Sequence, residues 1–194
     1  MAALILASAS PRRRELLGRI CPAFTVVPAD VDESLDPGPV AAAVERLALR
    51  KARAVAAGAR DAVVLAADTV VVADGVVLGK PAGPDEARAM LRRLRGRVHE
   101  VVTGVAVVDA AGREASLSVT TRVLMAAYSD ATLHAYAASG APLDKAGAYA
   151  IQDRDGALVD GLAGSYTNVV GLPLEATRRL LEGFGVRVSA AAGP

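Results

Sequence analysis

Leu4-Ile5-Leu6-Ala7-Ser8-Ala9-Ser10-Pro11-Arg12-Arg13-Arg14-Glu15-Leu16-Leu17 carries an apolar run into two serines, a proline and three arginines. The apolar residues predict a buried strand over 3–8. Ser10 predicts an N-cap, and Pro11 a first helical residue whose missing N–H and preset φ suit that position, so a helix over 11–20 follows the strand directly. The helix N-terminus then faces a strand end, with the hydroxyls of Ser8 and Ser10 and the guanidiniums around it. Amide donors, the positive end of the helix dipole and Arg forks all favour phosphate. Consecutive helical residues point about 100° apart, so Arg12, Arg13 and Arg14 cannot all face one ligand, and at least one lies on a solvated face.

Working outward, a short strand near 23–28 precedes the polar loop Ala29-Asp30-Val31-Asp32-Glu33-Ser34. Residues 39–58 predict a long helix closed by Gly58. Val63 to Ala67 is continuously apolar, which predicts a central strand buried on both faces. It continues through Val70-Val71-Val72 to Asp74-Gly75, a two-residue hairpin signal, with Val76-Val77-Leu78 as the return arm. Gly83-Pro84 opens a helix to about Arg95, and long strands are expected over 98–108 and 116–124. Ser129 caps a helix to Ser139. A loop-rich region follows, containing 145–152 and 164–168. A last helix over 173–182, a short strand over 185–188 and a frayed tail over 189–194 complete the chain. Alternating helices and strands with hairpins predict an α/β fold with a mixed sheet and flanking helices in one domain, 1–188.

The chain has 194 residues, 53% hydrophobic and 22% charged, enough for a substantial core. Aromatics are 3% with no Trp, which argues against stacking platforms for single-stranded nucleic acid. A formal charge of +1 argues against a broad nonspecific nucleic-acid surface, so phosphate binding is expected to be local. Cys21 is the single cysteine; no intrachain disulfide can form, and with no His nearby it reads as buried filler. Ala7-Ser8-Ala9 imitates a cleavage site, yet the basic n-region is missing and the arginines follow it. No segment approaches the ~20 apolar residues of a membrane span, and the expectation is a cytoplasmic protein with no membrane partner.

Asp68 is the sharpest candidate for chemistry, a carboxylate in or beside a buried strand. A buried charge needs a partner: a divalent metal, a cation, a positioned water, or in the structural reading loop amides. Glu33 is either a solvated loop residue or, if its loop folds over the Asp68 strand end, a second functional carboxylate. Lys80 lies between Gly79 and Pro81, where a phosphate-binding lysine is plausible, but no Gly-x-x-x-x-Gly-Lys-Ser/Thr or Gly-x-Gly-x-x-Gly run supports a known phosphate loop. Arg50, Lys51 and Arg53 on the long helix are phosphate ligands or a solvated face. His99 and His134 lack metal-ligand spacing and read as core or surface residues.

As a set these stretches resemble the Maf family of nucleotide pyrophosphatases. The matching pieces are Ser8-Ala9-Ser10-Pro11-Arg12-Arg13, Val31-Asp32-Glu33, Leu49-Arg50-Lys51-Ala52, Ala67-Asp68-Thr69-Val70, Gly79-Lys80-Pro81, Thr103-Gly104, Asp144-Lys145-Ala146-Gly147-Ala148-Tyr149 with Ile151-Gln152, and Val170-Gly171-Leu172-Pro173-Leu174. They occur in family order over nearly the whole chain.

The resemblance implies a two-lobed fold like that of the inosine triphosphate pyrophosphatases, with a cleft between the lobes. It implies hydrolysis of nucleoside triphosphates to monophosphate and pyrophosphate with a divalent cation, Mg²⁺ or Mn²⁺. Asp68 matches the catalytic proton acceptor, with Glu33 as the second metal carboxylate. Arg13, Glu33, Lys51 and Lys80 match the family's polar cleft positions, and Ser8, Arg13, Lys51 and Lys80 are expected to bind phosphate. Arg12, Thr69 and Gln152 match the subtype acting on dTTP and UTP, where the 7-methylguanosine triphosphate subtype has Trp, Gln and Glu. Gln152 both donates and accepts, as the O4 and N3–H edge of a pyrimidine requires. A homodimer is also implied. The noncatalytic alternative is a nucleotide-binding regulator of cell division, which would need the cations but no paired Asp68 and Glu33.

Overall fold

A computed structural model describes residues 3–152 and 157–189. In chain order these form β1 (Ala3–Leu6), α1 (Pro11–Gly18), β2 (Thr25–Val26), α2 (Val40–Ala56), β3 (Ala62–Ala73), β4 (Val76–Leu78), α3 (Pro84–Leu94), β5 (Val98–Asp109), β6 (Glu114–Met125), α4 (Asp130–Ala138), β7 (Val159–Ala163), α5 (Tyr166–Val170) and α6 (Leu174–Gly183). The strands pair in the order β2-β1-β3-β5-β6-β7, with β4 on β3. β1 runs parallel to β2 and β3, whereas β4 is antiparallel to β3 and β7 to β6. The fold is α/β with a mixed sheet, as expected.

Two compact units divide the described residues. The first holds those up to Asp68, Thr103–Val119 and those from Gly171 on; the second holds Thr69–Val102 and those between Thr120 and Val170. In the first unit Ala48 and Ala52 of α2 pack with Ala7, Val64, Ala66 and Ala106. Small side chains let the helix lie close to the strands. Closest is Gly104 of β5, where an added Cβ would stand 2.5 Å from the carbonyl carbon and oxygen of Val44. Ser10 caps α1 through its hydroxyl, which accepts from the Arg13 amide, and Pro11 opens the helix.

In the second unit Val71, Leu91, Leu94, Met125, Leu133 and Tyr136 form the core under α3 and α4. Asp74 and Gly75 make the expected hairpin turn with φ of 52° and 75°. Gly147, at φ 70°, presses on Val71; a Cβ there would lie 2.9 Å from a Val71 methyl. Its amide donates to the Gly79 carbonyl at 3.0 Å, which seats the 145–152 segment against the end of the hairpin.

Three expectations need correction. No strand forms over 185–188. Gly185, at φ 74°, instead ends α6: its amide donates to Glu182 O and that of Val186 to Leu181 O, the paired bonds of a Schellman cap. The loop-rich region contains β7 and α5. β7 is interrupted by Gly161 and lacks a period-2 pattern, and α5 is little more than one turn, started by Ser165 Oγ accepting from the Asn168 amide. The first helix stops at Gly18, two residues short of the expected end. Of the tail expected to fray, only Ser189 lies within the described residues, and its amide donates to Ile20 O at 2.7 Å. Asp153–Gly156 also lies outside them.

Candidate active site

The buried stripe of α2 runs Val44, Leu47, Ala48, Lys51, Ala52 and Val55, the i, i+3, i+4 spacing of a helix face packed on a core. Lys51 is the one charged member. Its side chain is 6% exposed, so its ammonium must find partners. It finds two carboxylates: Nζ lies 2.8 Å from Asp68 Oδ1 and 2.7 Å from Glu33 Oε1. Asp68 sits where β3 leaves the fully buried run Ala62–Ala67, with its side chain 14% exposed.

Glu33 reaches Lys51 because its loop is tied down on α2. Arg46 Nε and Arg50 NH1 bind the two oxygens of Asp36 at 2.8 and 2.9 Å. Arg50 also donates to the carbonyls of Asp32 and Ser34. The Asp32 carboxylate accepts from the Ser34 amide at 2.8 Å and hydroxyl at 2.9 Å, and these bonds hold its pKa below the usual value. The loop therefore does fold toward Asp68, which lies within β3 rather than at its end. Arg50 is a loop anchor, and Arg53 pairs with Glu114.

Arg13 completes the polar centre of this unit. Its Nε donates to the Gly171 carbonyl at 2.8 Å and its NH1 to Ser8 Oγ at 3.4 Å, while Ser8 Oγ also accepts from the Ser10 amide. Burial lowers the guanidinium pKa; the charges of Asp68 and Glu33 oppose that shift and Arg12 adds to it. Arg13 thus feels both carboxylates that Lys51 bridges. Two cations and two anions balance. Arg12 is half-buried in the first turn of α1, and Arg14 is exposed.

Three expected residues belong to the second unit. Thr69 is half-buried on β3. Lys80 is exposed and follows Gly79, whose carbonyl the 145–152 segment holds. Gln152 is exposed in the turn ending that segment. Tyr149, three residues before it, is buried against His99: the hydroxyl is 2.6 Å from His99 Nε2 and the rings meet edge to face. Burial pushes the imidazole pKa down to about 4 and raises that of the phenol. His99 Nδ1 has no hydrogen-bond partner among the described residues. His99 is therefore a core residue, one of the two readings its sequence allowed.

Two features escaped the sequence reading. One is the Gly171 carbonyl as anchor for Arg13, which no local pattern signals. The other is the bridging role of Lys51, whose signal was present: a lysine at a core position of a helical stripe.

The oxygen-only donors Glu33 and Asp68 suit a hard divalent cation that keeps waters and substrate phosphates as its other ligands. Among the described residues no group of three or more His, Cys, Asp or Glu side chains is placed to hold a metal ion, so an all-protein cage does not fit. No helix among them is long and apolar enough to cross a membrane.

The S. aureus Ham1 protein structure matches with a TM-score of 0.57 at 16% identity, covering 94% of this chain and 99% of that one; the likeness concerns the fold alone. A protein of Moorella thermoacetica named dTTP/UTP pyrophosphatase is 55% identical over 190 residues, 97% of this chain and 98% of its own. One of the same name from Myxococcus xanthus is 55% identical over 185 residues, 94% of this chain and 93% of its own. The model of the family described as Maf-like protein matches residues 3–184. With nearly its whole length matched, this chain belongs to the Maf-like protein family.

Proposed function

We infer that the protein is a nucleoside triphosphate pyrophosphatase that hydrolyses dTTP and UTP to the monophosphate and pyrophosphate. The observation that carries the chemistry is the Lys51 ammonium joining Glu33 and Asp68 near a half-buried Arg13 whose charge acts on both carboxylates. A binding regulator needs cations for the phosphates but not a pair of carboxylates set among them. The names of the relatives in Moorella and Myxococcus support the substrate.

Water attacks the α phosphorus while charge develops on the departing pyrophosphate. Asp68 takes the proton of that water at its carboxylate. Arg13, with Nε held by Gly171, presents its remaining N–H groups to phosphate oxygens, and Ser8 sets the fork's orientation. Lys51 and Lys80 add point charges. A divalent cation held by Glu33 and Asp68 would supply Lewis-acid neutralisation of the phosphate charge. Arg12, Thr69 and Gln152 are assigned to substrate choice, Gln152 by its paired donor and acceptor.

The test is a panel of dTTP, UTP, CTP, ATP and GTP with Mg²⁺ or Mn²⁺, with products identified. Pyrophosphate from dTTP and UTP ahead of the others is expected. Orthophosphate as first product, or no turnover of any triphosphate, would overturn the reading.

A further inference from the structure

The Lys51 ammonium occupies the place between Glu33 Oε1 and Asp68 Oδ1 that a cation shared by both carboxylates would take. Its distances of 2.7 Å to Glu33 and 2.8 Å to Asp68 are those of direct charge-assisted bonds, so no ion fits between the three groups as they stand. Arg13 adds a second positive charge that feels the same two carboxylates. A dication arriving alone would enter a centre whose negative charge is already matched and would stand next to an ammonium. A triphosphate changes this balance. It brings several negative charges, offers the ammonium new acceptors, and leaves the two carboxylates open. Lys51 can follow, because an ammonium on a four-carbon stem reorients where a rigid fork would not.

We propose that Lys51 is an internal counter-ion that keeps Glu33 and Asp68 closed to a divalent cation until a polyphosphate draws its ammonium away, so that metal and nucleotide load together. This rests on the reading of Glu33 and Asp68 as the metal carboxylates. Lys51 then has two jobs: neutralising the two carboxylates before the nucleotide arrives and binding phosphate once it has. An apo enzyme of this kind takes up little free metal.

The experiment measures Mn²⁺ binding by electron paramagnetic resonance without turnover, with and without an α,β-imido analogue of dTTP. The proteins are wild type, Lys51→Met, Lys51→Gln and Lys51→Met/Glu33→Gln. Lys51→Met keeps the unbranched stem, one atom shorter, without the charge; Lys51→Gln keeps a polar end should the Met variant fold poorly. Thermal melts identify the folded variants. Without nucleotide, a neutral residue at 51 is expected to tighten Mn²⁺ at least tenfold over wild type, and Glu33→Gln to abolish that gain. The analogue is expected to tighten Mn²⁺ at least tenfold in wild type and far less in the Lys51 variants. If wild type gains Mn²⁺ with the analogue but neither Lys51 variant binds it more tightly without, the counter-ion role is overturned and the metal reading stands. If no protein binds Mn²⁺ in a way that Glu33→Gln weakens, even with the analogue, both are overturned.

Discussion

Gly104 and Val44 meet so closely that a Cβ on the glycine would lie 2.5 Å from the valine's carbonyl carbon and oxygen. β5 and α2 therefore touch backbone to backbone, with no side chain to give way. Two turns further along α2 stands Lys51, on the same buried face. The seat of the helix on this glycine sets the height at which the ammonium reaches Asp68.

Gly104→Ala is accordingly expected to push α2 outward. Overpacking of this kind costs about 1–3 kcal/mol of stability. Turnover should fall as well, because Lys51 shifts from its two carboxylates. Urea unfolding together with kcat reads both effects, and an Ala variant as stable and as active as wild type would show that the helix seat is irrelevant to the centre.

Asp68→Asn keeps shape and removes charge. Loss of a general base costs about 10²–10⁴ in rate. The Lys51 ammonium keeps Glu33 as partner, so the fold should survive at a cost of about 1–3 kcal/mol for the weakened buried bond. Near-normal kcat in the folded Asn variant would remove Asp68 from the chemistry.

Gln152→Glu tests base choice. The change removes the amide donor, leaves the pyrimidine O4 without its bond and adds a charge. An unpaired polar group costs roughly 1–3 kcal/mol, about a tenfold to hundredfold loss of kcat/KM on dTTP. CTP, with its donor and acceptor reversed, should lose less. Equal losses on every triphosphate would show that Gln152 does not read the base.

His99 makes stability depend on pH. Its imidazole stays neutral in the folded protein down to about pH 4, against an ordinary value of 6.5. Between those values the unfolded chain binds a proton that the folded one does not. Stability therefore falls as pH drops from 6.5 toward 4 and is untouched by this group above 6.5, the total approaching on the order of 3 kcal/mol. His99→Gln removes the titrating ring. Urea midpoints at pH 7, 6 and 5 should fall more steeply for wild type than for the variant; parallel curves would refute the assignment.

The pieces of the fold written in short-range terms were legible before any coordinates. Ser10-Pro11 starts a helix because cap and φ are local properties, and Asp74-Gly75 turns a hairpin because both residues tolerate positive φ. The apolar runs on either side of Asp68 announced a buried strand with a charge within it. Gly161 and the single turn after Ser165 hid β7 and α5, because neither has length enough for a period to register.

By itself the amino-acid sequence determined the longer helices and strands, the mixed α/β class and the roster of charged residues that matches the family. Only the tertiary structure decided which of those charges meet. Lys51 joins Asp68 across 17 residues of chain because α2 is seated on Ala- and Gly-lined strands, and Arg13 finds the Gly171 carbonyl across 158. Such pairings depend on strand order and on how close a helix can approach a sheet. Local periodicity carries neither, since each is set by packing between segments distant in the chain.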